Sequence, residues 1–167
     1  DAARPRLAQA LAQGTTTMEV KSGYGLTTAS ELTMLRAVRA LAASQPMELS
    51  ATFMGAHEIP VEYRDRREDF VRLVCEEMIP AVAAEGLAEW NDVFCERGVF
   101  TPEESQRILE AGRAHGLKPR IHADELAASG GSLVAAATRS ASADHLIHVD
   151  ERGADAMAAA GTVATLL

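Results

Sequence analysis

Apolar residues along this chain fall into two recurring rhythms. Six short stretches rich in β-branched or alternating apolar residues read as strands: Thr15 to Val20, Leu49 to Met54, Asn91 to Cys95, Pro119 to Ala123, Ser142 to Leu146 and Thr162 to Leu167. Polar or Gly-containing residues follow them, and between them the spacing becomes helical. Thr28 and Glu31 form a capping-box pattern ahead of Leu32, Leu35, Val38 and Leu41, whose spacing by threes sets them along one helical face. Thr101, Pro102 and Glu104 repeat that signal before Ile108 and Leu109, with Gly116 as the stop. Asp150 and Gly161 bracket another helix, and Arg6 to Ala12 and Ser132 to Thr138 supply two more. A helix through Phe70, Leu73, Val74 and Met78 is expected to bend or end near Ile79, because Pro80 has no N–H for the helical ladder.

Strands alternating with helices at this spacing imply βαβ units, and so a parallel sheet covered by helices. Two closures compete, an open doubly wound sheet and a (β/α)8 barrel. No GxGxxG or GxxxxGK[ST] stretch follows any strand, which removes the usual phosphate-cradling support for the open form. The expected fold class is therefore α/β, a TIM-like barrel. A whole barrel takes ~250 residues. With 167 residues and six strands, residues 1–167 are expected to be a single partial barrel domain, two strands short. Asp1 in place of an initiating Met, and an apolar run that stops at Leu167, agree with a piece of a longer chain.

Composition narrows the partners. Sixteen Lys and Arg against 24 Asp and Glu leave a net charge of −8, the wrong sign for a nucleic-acid or anionic-membrane binder. No apolar run approaches the ~20 residues of a membrane-spanning helix. Cys75 and Cys95 are too few for a disulfide framework and too far apart for a CxxC pair, so a reducing, cytoplasmic setting is expected and both read as core residues.

The candidate chemistry lies at the strand ends. His57, His122 and His145 fall at or just beyond the C-terminal ends of three strands, which in a parallel barrel form the mouth where catalytic groups converge. Each alone could be a loop histidine hydrogen-bonded to a carbonyl, but three at equivalent positions point to metal-assisted or general acid–base chemistry. His115 precedes Gly116 at a helix end, where its charge suits the dipole, and His148 reads as a loop residue. Glu125, three positions after His122, can turn back over the mouth without being a ligand, as a general base would. Asp124 faces solvent or caps the next helix. For Glu96, metal ligation and loop solvation stand equal. Lys21-Ser22-Gly23-Tyr24-Gly25 is a Gly-rich turn presenting Tyr24 at the same rim, either to pack on its neighbours or to offer its hydroxyl to a polar substrate. Trp90 and Phe94 read as packing anchors.

Taken together, Thr15 to Gly25, Thr52-Phe53-Met54-Gly55-Ala56-His57, Asp92-Val93-Phe94-Cys95-Glu96 and His122-Ala123-Asp124-Glu125 resemble the imidazolonepropionase family of the metal-dependent amidohydrolase superfamily, in order along almost the entire chain. The resemblance implies a distorted barrel of which strands two to seven are present. It implies hydrolysis of 4-imidazolone-5-propanoate to N-formimino-L-glutamate in histidine degradation, with one divalent metal ion, zinc or iron. It implies His122 as a metal ligand, Glu125 and His145 as catalytic groups, and Tyr24, His57 and Glu125 as substrate-binding groups. Family members complete the metal site with a His-x-His pair on the first strand and an aspartate on the eighth, regions that this chain does not contain, so the fragment alone is expected to be inactive. A small-molecule substrate is the implied partner, and a homodimer the implied option for assembly of the full-length protein. The rivals are another amidohydrolase, such as a guanine or cytosine deaminase, and a non-catalytic barrel piece.

Overall fold

The computed structural model describes residues 2–166. Helix α1 (Ala3–Ala12) leads into β1 (Thr17–Lys21), α2 (Thr28–Ala42) and β2 (Glu48–Ala56). Beyond a short 3-10 turn (Val61–Tyr63) come α3 (Arg67–Leu73), a π-helical turn (Val74–Met78) and α4 (Ile79–Ala84). The rest is β3 (Trp90–Cys95), α5 (Pro102–Ala114), β4 (Lys118–Pro119), β5 (Ile121–Ala123), α6 (Gly131–Ala137), β6 (Ser142–His145), α7 (Glu151–Ala160) and β7 (Val163–Leu166). Of the last expected strand, Leu167 lies outside the described residues.

All strand pairs are parallel, and the order is β1-β2-β3-β5-β6-β7 with β4 also on β3. A doubly wound sheet would reverse its order at a switch point. Here each strand lies beside its predecessor, as in a barrel. β4 and β5 are two pieces of one barrel strand: Trp90 pairs with Lys118 below and Phe94 with His122 above. Pro119 has no N–H to give the ladder, and the strand is split at Arg120.

The period of two sorts the two faces of the sheet. In β3, Val93 and Cys95 enter the core, and the Asn91 side-chain amide donates to the Ile108 carbonyl in α5 at 2.9 Å. The alternate residues Trp90, Asp92 and Phe94 face the barrel interior. Between sheet and helices the core is built from Leu35, Phe53, Phe70, Val74, Met78, Ile79, Ile108 and Leu109, all essentially inaccessible to solvent. Trp90 and Phe94 are only half-buried and lie outside this core, which corrects their reading as packing anchors. Cys95 is in the core, and Cys75 packs against its edge.

Three helix signals act as expected. Thr101 and Glu104 close a full capping box on α5, Asp150 caps α7 through the Gly153 N–H, and Gly161 ends α7 in the left-handed conformation. Two others differ. Thr27, not Thr28, caps α2, and the Glu31 carboxylate reaches past the cap to the N–H groups of the preceding turn. The other helix, through Phe70 and Met78, changes at Ile79 as expected, but by a local widening and not by a stop. It widens into the π turn over Val74–Met78, which makes room for the proline ring in the first turn of α4.

Candidate active site

The strand ends bring the three histidines to one opening. His57 follows β2, His122 lies within β5 and His145 ends β6; with Phe94, Glu125 and Leu126 they line a cavity of about 360 Å³. Their rings run in sequence along it. Tyr24 and His57 have centroids 4.6 Å apart, His57 and Phe94 6.0 Å, Phe94 and His122 6.1 Å, and His122 and His145 5.2 Å. The Glu125 carboxylate reaches back to within 3.5 Å of His145 Nε2. Tyr24 is 80% exposed at the rim, its ring tilted by 59° against that of His57. His115 sits at the C-terminal end of α5, and His148 is an exposed loop residue, so neither joins the cluster.

Three buried carboxylates shape the loops that carry these groups. Glu31, 1% exposed, accepts hydrogen bonds from the Gly23, Gly25 and Leu26 N–H groups at 2.8 to 3.0 Å, so α2 holds the turn that presents Tyr24. Gly23 has φ +122°, and a Cβ there would stand 2.8 Å from the Met54 carbonyl oxygen, so this turn needs glycine. Glu96 is neither solvated nor aimed at the cavity. It accepts from the Arg97 and Leu126 N–H groups at 2.7 and 2.8 Å and from the Ser129 hydroxyl, fastening the segment that follows Glu125. Burial opposes its charge, but the Ser129 and backbone donors outweigh it and hold the carboxyl below its ordinary value. Asp124 is the cap of α6: with φ +52° it turns its carboxylate under the N–H groups of Ser129, Gly130, Gly131 and Ser132. His145 and Leu146 also have positive φ, 77° and 57°, a backbone that bulky residues adopt only where surrounding structure imposes it.

Beneath the histidines lies a charged layer that strand-end placement does not reveal. Lys21 Nζ is 2.5 Å from Asp92 Oδ2, 3.3 Å from Asp144 Oδ2 and 3.4 Å from Glu19. Glu19 also pairs with Arg120 at 2.9 Å, and Arg120 in turn lies 4.0 Å over the Trp90 ring. Asp92 Oδ1 accepts from His122 Nδ1 at 3.1 Å. Burial of Asp92 opposes its charge, but His122 and Lys21 together overcome it and hold the carboxyl at about 2. Burial likewise opposes the charged forms of His122 and Lys21, and the facing carboxylates nonetheless raise both. The signal in the sequence was present: charged residues at alternate positions inside otherwise apolar strands, as in Glu19 and Lys21 or Arg120 and His122.

This geometry fits a metal ion at one place. With Nδ1 committed to a buried carboxylate, His122 keeps Nε2 for coordination, the usual arrangement of a ligating histidine. Asp92, His122 and Asp144 offer donor atoms within 4.8 Å of one another, but the Lys21 ammonium already serves both carboxylates as their cation. The fitting donor is therefore His122, not the three-residue group.

The chain forms a partial parallel β/α barrel of six consecutive strands, each beside its predecessor, with the site at their C-terminal ends. It superposes on adenine deaminase from Arthrobacter aurescens with a TM-score of 0.67 at 18% identity, covering 98% of this chain and 50% of that one. A Xaa-Pro dipeptidase with bound methionine gives 0.60 at 17%, over 96% and 46% of the two chains. No protein-family model matches.

In sequence the chain is similar over almost its whole length to imidazolonepropionases. It is 54% identical to that of Ectopseudomonas mendocina over 166 residues, 99% of this chain and 41% of the relative. The identities are 52% for Brevibacillus brevis, over 98% of this chain and 39% of the relative, and 55% for Symbiobacterium thermophilum, over 97% and 38%. The chain thus spans about two fifths of the length of the curated relatives it matches.

Proposed function

We propose that the protein containing this chain, at the full length of its relatives, is an imidazolonepropionase, in which residues 1–167 form part of the catalytic barrel. It hydrolyses a ring C–N bond of 4-imidazolone-5-propanoate and releases N-formimino-L-glutamate, a step of histidine degradation. The observation that carries this reading is the meeting of His57, His122, Glu125 and His145 around one cavity in a chain 54% identical to a named imidazolonepropionase.

The proposed cofactor is one divalent ion, zinc or iron, with His122 Nε2 among its ligands; when bound it supplies the Lewis acidity that makes water nucleophilic near neutral pH. Glu125 takes the proton of the attacking water and returns it to the leaving ring nitrogen. His145, beside Glu125, hydrogen-bonds the attacking water or the oxyanion that forms as the ring carbonyl becomes tetrahedral. Tyr24 and His57 hold the ring from the β1 and β2 side of the cavity, with Glu125 opposite. The proposed setting is the cytoplasm. The expected homodimer is tested by sedimentation of the full-length protein.

The experiment is Glu125→Ala in that full-length protein. Turnover is expected to fall by about 10²–10⁴-fold while bound metal stays near stoichiometric; turnover at the parent rate refutes the role. His122→Ala is expected to lose metal first. Parallel assays with purine and pyrimidine amines separate this reading from a deaminase, since the parent should process only the imidazolone.

A further inference from the structure

We infer that Asp92, paired with Lys21, is a positioning residue that decides which ring nitrogen of His122 faces the cavity. Asp92 divides its two oxygens between partners: Oδ1 meets His122 Nδ1 at 3.1 Å, and Oδ2 meets Lys21 Nζ at 2.5 Å. An ionised carboxylate only accepts hydrogen bonds, so the nitrogen facing it must carry the proton. In the neutral ring the remaining lone pair is then on Nε2. The strand register brings Phe94 beside His122 and so places Asp92 one layer below the ring, on the neighbouring strand.

Asp144 is the β6 register partner of His122, yet its carboxylate turns to Lys21. Lys21 therefore ties β1 to β3 and β6 at a single point and keeps two interior carboxylates from facing each other uncompensated. Removing one partner of such a buried pair leaves the other charge stranded. Asp92 touches neither the cavity nor any reacting group; it acts through His122.

This inference rests on His122 being a metal ligand, and its test separates the two claims. In the full-length protein, stripped of metal and held in alkaline buffer, nitrogen NMR of His122 is expected to show the Nδ1–H tautomer. Asp92→Ala is expected to weaken zinc binding, read by competition with a chromophoric chelator, by about 10–100-fold. Asp92→Asn, whose amide oxygen still accepts from Nδ1–H, is expected to lose less. Adding Asp92→Ala to His122→Ala should weaken residual binding no further, because both act through one ring. A folded Asp92→Ala protein with zinc affinity within about twofold of the parent overturns the inference. So does an Nε2–H tautomer in the unsubstituted protein, a readout that stands even where the alanine variant fails to fold. A His122→Ala protein that keeps its metal would instead overturn the ligand assignment.

Discussion

Asp124→Ala removes the cap of α6 and the left-handed turn that sets Glu125 at the cavity. The carboxylate is 2% exposed and receives four N–H groups, Ser129 and Gly130 at 2.8 Å, Ser132 at 3.0 Å and Gly131 at 3.2 Å. Losing a helix cap costs about 1–2 kcal/mol. Water can reach the half-buried Ser129 and Gly130, but Gly131 and Ser132 are buried, and a stranded N–H costs about 1–3 kcal/mol. Alanine at φ +52° adds roughly 1 kcal/mol of strain. The two stranded N–H groups, whose cost already contains that of the lost cap, and the strain give an expected total of about 3–7 kcal/mol. Asp124→Asn keeps an acceptor oxygen and tolerates the left-handed backbone, so it should cost about half as much. Urea unfolding of the full-length protein, with unchanged slope, measures both. A loss below about 1 kcal/mol for alanine, or equal losses for the two variants, would refute the assignment of cap and strain to this side chain.

Other outcomes follow from the same contacts. A carboxyl depressed in the folded state stabilises fully above its unfolded value, and that contribution is lost as pH falls through the folded one. Glu96→Gln should therefore narrow the drop in Tm between neutral and acidic buffer; an unchanged drop would show that Glu96 carries none of it. Burial pushes the Cys75 and Cys95 thiols up to about 11, so labelling by a disulfide reagent at neutral pH should run at least ~10-fold slower than for a free thiol. In Gly112→Ala the new Cβ would stand 2.9 Å from Asn91 Cβ, disturbing the Asn91 bond to Ile108, and thermal unfolding should report a loss of about 1–3 kcal/mol.

The strand–helix alternation was legible because local spacing dictates it. The expected strands and observed ones differ by a residue or two at most ends, apart from the split at Arg120. Capping at Thr101 and Asp150 and the stop at Gly161 were legible for the same reason: each involves neighbours three or four positions away. The convergence of His57, His122 and His145 was also within reach, since a parallel barrel puts every strand's C-terminal end at one mouth.

What the local pattern could not supply was the destination of the charged residues. Glu31 looked like half of a capping box, Glu96 like a ligand or a solvated side chain, and Lys21 like part of a turn. Their roles depend on partners that only folding delivers, Lys21 and Asp144 being 123 positions apart. Spacing along the chain determined where secondary structure forms and which end of the sheet carries the imidazoles. The tertiary structure alone decided which carboxylates are buried, because a charge can leave water only where another segment brings the donor or counter-charge that replaces it.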